Sequence, residues 1–466
     1  MDGNTDISNI EKCNNKMYAF RQILVAIGPI IITGALGMTE AYSAILLPQL
    51  EHENSTIKID TELSSWLASM SSFPMSGGCL VGAYLMQKIG RRAIHIWACI
   101  PLVLGWFLIA AAPNANIILV GRFLTGVSDG LLGPPTGVYI AETSHPNLRG
   151  VLIMSTVVAL TFGIFLVHLL GTFFTWRMTA WISGVIPIPF AIFMCFVPES
   201  PSFLAKIKKF DEAKAAFYWC RGSSEESQKE LDELFARQQE LENVPKQSIA
   251  EIVKSLSKPE FWKPTVIISI LFITAQMSGN QAMGSYSIQI IQECGLASDE
   301  YLTMIGIDTF RLLATIVSCI LVSKLPRRSL VMLGGYGVCS VLFLLSCHLY
   351  LAPLFASDSS IIVLTLLSAY VFLIAVGLVP LTWTMMGEIF PLAYRSLGTA
   401  VTSSVCYVVL YLVVLTFPYL LTLFGNISGV FMFYCAFTFV GTIILTIYLP
   451  ETKDKPLYII EDYYKS

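Results

Sequence analysis

Hydrophobic residues in this chain come in long blocks rather than at alternating or one-face helical spacing. Twelve blocks of about 20 residues, the length a helix needs to cross a bilayer core, centre near Ile30, Ser72, Leu104, Leu131, Ala159, Pro187, Ile273, Ile316, Val341, Ala375, Val409 and Gly441. Most charged residues lie in the breaks between blocks, at the two chain ends and in one charged insert; Glu40, Arg122 and Arg311 lie in or beside the blocks. The pattern predicts an all-α polytopic membrane protein with twelve transmembrane helices in two six-helix bundles. The expected divisions are an N-terminal tail at 1–20, a first bundle at 21–198, a linker at 199–263, a second bundle at 264–449 and a C-terminal tail at 450–466. The first block exceeds the apolar core of about 7–15 residues expected of a cleavable signal, so it reads as the first span.

Charged landmarks of the first half recur in order in the second. Arg91-Arg92 is matched by Arg327-Arg328, the Glu142 and Arg149 pair by Glu388 and Arg395, and Pro198-Glu199-Ser200 by Pro450-Glu451-Thr452. A repeat of that length in so apolar a chain points to duplicated membrane bundles.

Composition agrees: 55% of residues are hydrophobic and 13% charged, against about 25% charged in soluble domains. The net charge of −3 provides no basic footprint for nucleic acid. Most of the eleven cysteines fall inside apolar blocks, where a thiol acts as a small hydrophobe, and none forms a CxxC or CxxH pair. No Gly-rich phosphate loop is present, so neither an enzyme nor an ATP-driven pump is expected, and no cofactor or metal.

Orientation follows from Lys and Arg. With both termini cytoplasmic, the outer loops hold only Lys58 and Arg177, while the inner connections hold all the paired arginines, the bias of a positive-inside protein. The expected location is the plasma membrane. Asn54-Ser55-Thr56 then lies outside as a glycosylation acceptor at Asn54. In the linker, helix-like stretches run from Asp211 to Arg221 and from Glu226 to Leu241. Phe203, Leu204, Ile207, Phe210 and Phe217 there are either packed on the inner mouth of the bundle or part of a solvated connector.

The inner landmarks suggest a gate. Gly90 permits the tight turn before Arg91-Arg92, and Glu142/Arg149 and Glu388/Arg395 place opposite charges at the ends of neighbouring helices. Such charges can clamp the inner face shut and release when the halves rock. Arg91, Arg92, Glu142, Arg149, Glu199, Arg327, Arg328, Glu388, Arg395 and Glu451 are the gating candidates.

Five segments together carry a family resemblance: "GRFLTGVSDGLLGPPTGVYIAETSHPNLRG" (121–150), "PESPSFL" (198–204), "QMSGNQAMGSYS" (276–287), "PLTWTMMGEIFPLAYRSLG" (380–398) and "PETK" (450–453). The chain resembles the sugar porter family of the major facilitator superfamily, and within it the insect facilitated trehalose transporters. The resemblance implies one central sugar site reached alternately from either face. It also implies determinants on spans 5, 7, 8, 10 and 11.

Against the family pattern, Gln87 and Ser323 stand where acids are usual and Pro326 where glycine is. The inner gate is therefore expected to be asymmetric and to lean on the Glu142/Arg149 and Glu388/Arg395 sets. At the sugar site Val157, Ala275 and Cys406 replace amides common in hexose carriers. Gln276, Gln281, Tyr286 and Trp383 remain as hydrogen-bonding groups and aromatic platform. Each has a packing alternative, since interhelical hydrogen bonds of amides are worth about 0.6–2 kcal/mol in membranes. Arg311, at a usual sugar-binding position, either faces the cavity or pairs with Asp308. Glu40 neighbours Thr39, the place of the proton-carrying acid in coupled relatives; one residue rotates a helical side chain by about 100°, which directs Glu40 elsewhere. Facilitated diffusion of trehalose or a hexose such as glucose is the first expectation. Proton symport through Glu40, a transport-dead sensor, and carriage of another polar solute are the alternatives. The expected partners are a small sugar and the lipid bilayer, with no nucleic acid and no obligate protein partner.

Overall fold

The computed structural model describes residues 3–53, 55–243, 258–296, 299–351, 360–390 and 395–453. Among these the chain is helical throughout. Span 1 is α1 (Gly3–Ala41) continued by α2 (Ser43–Glu51), and span 2 is α3 (Thr61–Ser69) with α4 (Met75–Ile89). Spans 3 to 5 are α5 (Arg91–Ala111), α6 (Ala115–Thr143) and α7 (Pro146–Phe173). Span 6 is α8 (Trp176–Val185) with α9 (Pro187–Met194). The insert forms α10 (Pro201–Lys206), α11 (Phe210–Arg221) and α12 (Glu225–Asn243). Span 7 comprises α13 (Pro259–Met277), α14 (Asn280–Ser285) and α15 (Ser287–Glu293); spans 8 and 9 are α16 (Glu300–Lys324) and α17 (Arg327–Leu351). Span 10 joins α18 (Ser360–Leu373) to α19 (Val379–Ile389) through a π-helical turn, Ile374–Leu378, and α20 (Arg395–Phe424) and α21 (Ile427–Tyr448) are spans 11 and 12.

Backbone groups in lipid must bond internally, which leaves helices as the open-ended solution. Eleven helices among the described residues are long and apolar enough to cross a membrane. The remaining expected span, near Ser72, is broken by a turn at 70–74 before Pro74. The break lets α6 come close: a Cβ on Gly126 would lie 1.8 Å from the Ser71 carbonyl oxygen, so only glycine fits there. The stripe Gly126 and Gly130 thus serves helix packing, as its spacing suggests.

Side chains cap the helices that start away from the charged landmarks. Asn114 Oδ1 accepts from Ile117 N at 3.1 Å and Asn426 Oδ1 from Gly429 N at 2.9 Å, each satisfying an otherwise orphan donor. The π-helical turn precedes Pro380, which has no N–H for the Val376 carbonyl; Ser318 Oγ donates to that oxygen at 3.5 Å instead. The outer surface is apolar, with Trp97 63%, Phe196 80% and Ile361 80% exposed, as lipid contact requires.

The insert is a packed unit and not a loose connector. Leu204, Ala205, Ala213 and Ala216 form a small core with Leu234 and Phe235, while Phe203 and Phe217 are buried and Ile207 is exposed. Gln22 Nε2 donates to the Cys220 carbonyl at 3.1 Å, and Arg221 donates to the Ser144 carbonyl at 2.7 Å. These bonds fasten the insert to spans 1 and 4 of the first half.

Packing between the two halves runs along α4 with α20 and α7 with α16, and at the face away from the landmarks where α2 meets α14 and α15. Ser404 Oγ donates to the Ser76 carbonyl at 3.1 Å across the first seam, and Thr161 Oγ1 lies 3.4 Å from Thr315 Oγ1 across the second.

Candidate functional site: a central polar chamber and two charged anchors

The landmark residues build the same network twice. In the first half the Glu199 carboxylate accepts from the backbone N–H groups of Arg91, Arg92 and Ala93 at 3.0, 2.9 and 3.3 Å. It therefore caps α5 from outside the helix, where the aligned peptide dipoles favour an anion. Gly90, at φ +106°, makes the turn into that cap. Arg91 lies against Glu142, with Nε 3.0 Å from Oε2 and the second terminal nitrogen donating to Oε1 at 3.1 Å. Ser200 Oγ donates to the other face of Glu142.

In the second half Glu451 accepts from Arg327 N at 2.9 Å and Arg328 N at 3.0 Å. Arg327 donates to Glu388 at 3.3 Å, and Thr452 Oγ1 donates to Glu388 at 2.5 Å. Pro326 in place of glycine leaves this arrangement intact. Arg328 adds a bond to the Thr446 carbonyl at 2.6 Å, as Arg92 does to that of Val197 at 2.9 Å.

Partners differ from the expected ones. Glu142 pairs with Arg91 rather than Arg149, whose Nε is buried without a hydrogen-bond partner. Glu388 pairs with Arg327. The side chain of Arg395 and the whole of Asn54 lie outside the described residues. Lys206 donates to Gln87 at 2.6 Å, restoring a tie where the family's acid is lost; partial burial, then the Arg91 charge, hold its ammonium below the ordinary value. Glu199→Ala should cost about 1–2 kcal/mol, the range for a helix cap, read as a lower melting temperature of the purified protein.

In the middle of the bundle a set of polar groups converges. Gln276 Nε2 donates to Cys406 Sγ at 3.3 Å, and its Oε1 is buried with no partner. Gln281, buried in α14, lies beside the Glu40 side chain of span 1. Glu40 therefore does not point away from the site, as helix geometry alone suggested; it is half-buried and meets the second half. Trp383 stands edge-on to Phe272 at 5.1 Å and 6.3 Å from Tyr407, and stays half-buried. Gln276, Trp383 and Glu40 thus gather about Cys406 and Tyr407 of α20, with Gln281 beside Glu40, as one polar cluster between the halves.

Two sequence candidates sit elsewhere. Tyr286 is 2% exposed, stacks on Phe417 at 4.7 Å and donates to the Val414 carbonyl at 3.1 Å. It packs against α20. Arg311 takes its structural alternative: one terminal nitrogen is 3.7 Å from Asp308 Oδ1. Asp308 Oδ2 in turn accepts from His168 Nδ1 at 2.5 Å, and His168 Nε2 donates to the Ala41 carbonyl at 3.1 Å. This buried trio ties α16 of the second half to α7 and α1 of the first.

Sequence reasoning missed His168, Tyr407 and Asp129. The signal for Asp129 was present as a lone acid in the apolar run of span 4. Arg122, beside it in sequence, is fully buried and donates to the carbonyls of Leu67, Thr39 and Ala68 at 3.2, 2.7 and 3.0 Å and to Ser43 Oγ at 2.5 Å. It braces the break of span 2 against span 1.

The described residues thus form a duplicated membrane bundle with amides and an indole gathered between its halves. Residues 31–464 match the family described as sugar (and other) transporter, and the chain belongs to that family. Its relatives include the facilitated trehalose transporter Tret1 of Drosophila mojavensis, 27% identical over 99% of this chain and 53% of the relative. That of Culex quinquefasciatus is 29% identical over 95% of this chain and 85% of the relative. The chain spans about half the length of the Drosophila relatives it matches. Among solved structures, the proton:xylose symporter XylE bound to 6-bromo-6-deoxy-D-glucose superposes with a TM-score of 0.77 at 20% identity, covering 97% of this chain and 100% of that one. The inward-open form of the E. coli xylose transporter XylE matches with the same score at 19% identity, covering 96% and 99%. Both give the major facilitator fold.

Proposed function

We propose that this protein moves a sugar across the plasma membrane by alternating access, as a facilitator, with trehalose or a hexose such as glucose as substrate. The observation that carries the reading is an amide and an indole between the halves: the Gln276 carbonyl is buried and unpartnered, and the half-buried Trp383 ring stands beside Phe272 and Tyr407. Hydroxyl groups and the C–H face of a sugar ring need that combination. The relatives named as trehalose transporters support the substrate class.

In this reading the bundles 21–198 and 264–449 rock about the two seams. The landmark face is cytoplasmic, carrying both termini, and Asn54 is on the glycosylated outer side. The outer ends are closed by α2 on α14 and α15. Each landmark network holds within its own half, so no charge described there locks the inner face. Arg149, whose Nε has no hydrogen-bond partner, is the cation proposed to engage across the halves when the inner face closes.

Gln276→Leu should raise KM about 2–10-fold, the worth of one neutral hydrogen bond, with little change in maximal rate. Trp383→Ala should raise it further. Uptake of labelled trehalose, glucose and fructose by vesicles bearing each variant tests this; unchanged KM values for all three sugars in both variants contradict it. The placement of half-buried Glu40 beside Gln281 of the second half favours a second reading, proton symport, which predicts sugar accumulation driven by a pH gradient in wild type and not in Glu40→Gln.

A further inference from the structure

Asp129 lies in the middle of α6, is 4% exposed, and neither carboxylate oxygen has a hydrogen-bond partner. A bare carboxylate in such a place is costly. The neighbouring cation does not relieve it. Arg122, two turns earlier on the same helix, spends its described hydrogen bonds on three carbonyls and a hydroxyl, and reaches Asp129 only through space.

The other groups facing Asp129 are few. Glu40 of α1 lies within electrostatic reach of it, as does Tyr407 of α20, which itself neighbours Cys79 of α4. On α5, Cys99 is buried, and His95 is held by the Arg91 carbonyl at 2.7 Å and Thr136 Oγ1 at 3.2 Å. Both oxygens of Asp129 are sealed from solvent, which leaves no room for a hydrated metal ion. A proton alone fits.

Glu40 is the acid within electrostatic reach of Asp129, and unlike Asp129 it is only half-buried and lies beside Gln281. We propose that Asp129 is a proton-binding site filled through Glu40, and that its occupancy sets the rate of sugar exchange. The inference rests on the transport reading for its rate consequence and on the geometry alone for the proton site. With the proton bound, span 4 is neutral at this depth and the halves can rock. With it lost, a buried anion must draw in water or Arg122, and that form stalls. Exchange therefore runs faster on the acid side.

Two measurements on the full chain test the proposal. Infrared spectra of the purified protein near neutral pH should show the carbonyl stretch of a protonated carboxylic acid, absent in Asp129→Asn. A band of equal size in both proteins, or none in wild type, overturns the site. Equal-pH exchange of labelled glucose should fall by up to about tenfold per pH unit on the alkaline side, the limit for one proton. In Asp129→Asn it should be flat with pH, and a wild-type slope in that variant overturns the rate claim. If Asp129→Asn does not fold, wild type still decides: a band that titrates with bulk pH and shifts in Glu40→Gln supports the site, and a band that does neither overturns it. Wild type with no exchange of any sugar at any pH fails the transport reading, while the infrared band judges the proton site separately.

Discussion

Asp308→Leu is expected to destabilise the protein by about 3–5 kcal/mol, the cost of removing one partner from a buried ion pair, and to leave little folded material in detergent. Asp308 is 2% and Arg311 8% exposed, and no other carboxylate lies in contact with that guanidinium among the described ion pairs. Leucine would strand the cation inside the bilayer and free His168 from its acceptor. The trio also bonds one half to the other through His168 and Asp308, so its loss loosens the α7–α16 seam. Asp308→Leu combined with Arg311→Leu should recover the part of the loss owed to the stranded guanidinium, because an apolar pair of similar size is close to neutral against a buried ion pair, while His168 stays without its acceptor. Thermal unfolding of the three proteins, followed by size exclusion, gives the comparison. A double variant no more stable than Asp308→Leu would show that the trio does not act as an ion pair.

The second large effect concerns the repeated networks, which are alike in connectivity and unequal in burial. Glu142→Gln leaves Arg91, whose side chain is 6% exposed, without its two close contacts at 3.0 and 3.1 Å. A loss of about 3 kcal/mol is expected, at the lower end for a buried pair. Glu388→Gln removes a single 3.3 Å contact between side chains 16% and 30% exposed, for which about 1 kcal/mol is the upper range. The melting temperature should therefore drop clearly more in the first variant. Equal drops would mean that solvent screens both networks alike. The two networks differ in burial and in number of bonds: Glu199 accepts from three backbone N–H groups at the start of α5 and Glu451 from two of the Arg327–Arg328 turn.

The sequence was most informative about what the bilayer dictates. Span positions follow from apolar length alone, and span 2, broken at residues 70–74 beside Gly126, is the one expected span with no single helix of membrane length among the described residues. Positions of the inner charges were legible through the repeat. Their partners were not: a helix end brings several ions within reach, and which pair forms depends on how α4, α6 and the insert are rotated together. Glu40 shows the same limit. The rotation of a single helix directed it away, whereas the bend between α1 and α2 and the unwound start of α14 at Gly279, φ +86°, bring Gln281 to it. Asp129 was hidden within a family motif that accounted for its neighbours.

Flux through purified protein tests the central claim most directly. Vesicles containing only this chain and loaded with unlabelled trehalose or glucose should take up the labelled sugar transiently above equilibrium, with saturation and with competition by the other sugar if both are substrates. Uptake no faster than in protein-free vesicles for every sugar, from a preparation that is folded by its melting curve, would contradict the account.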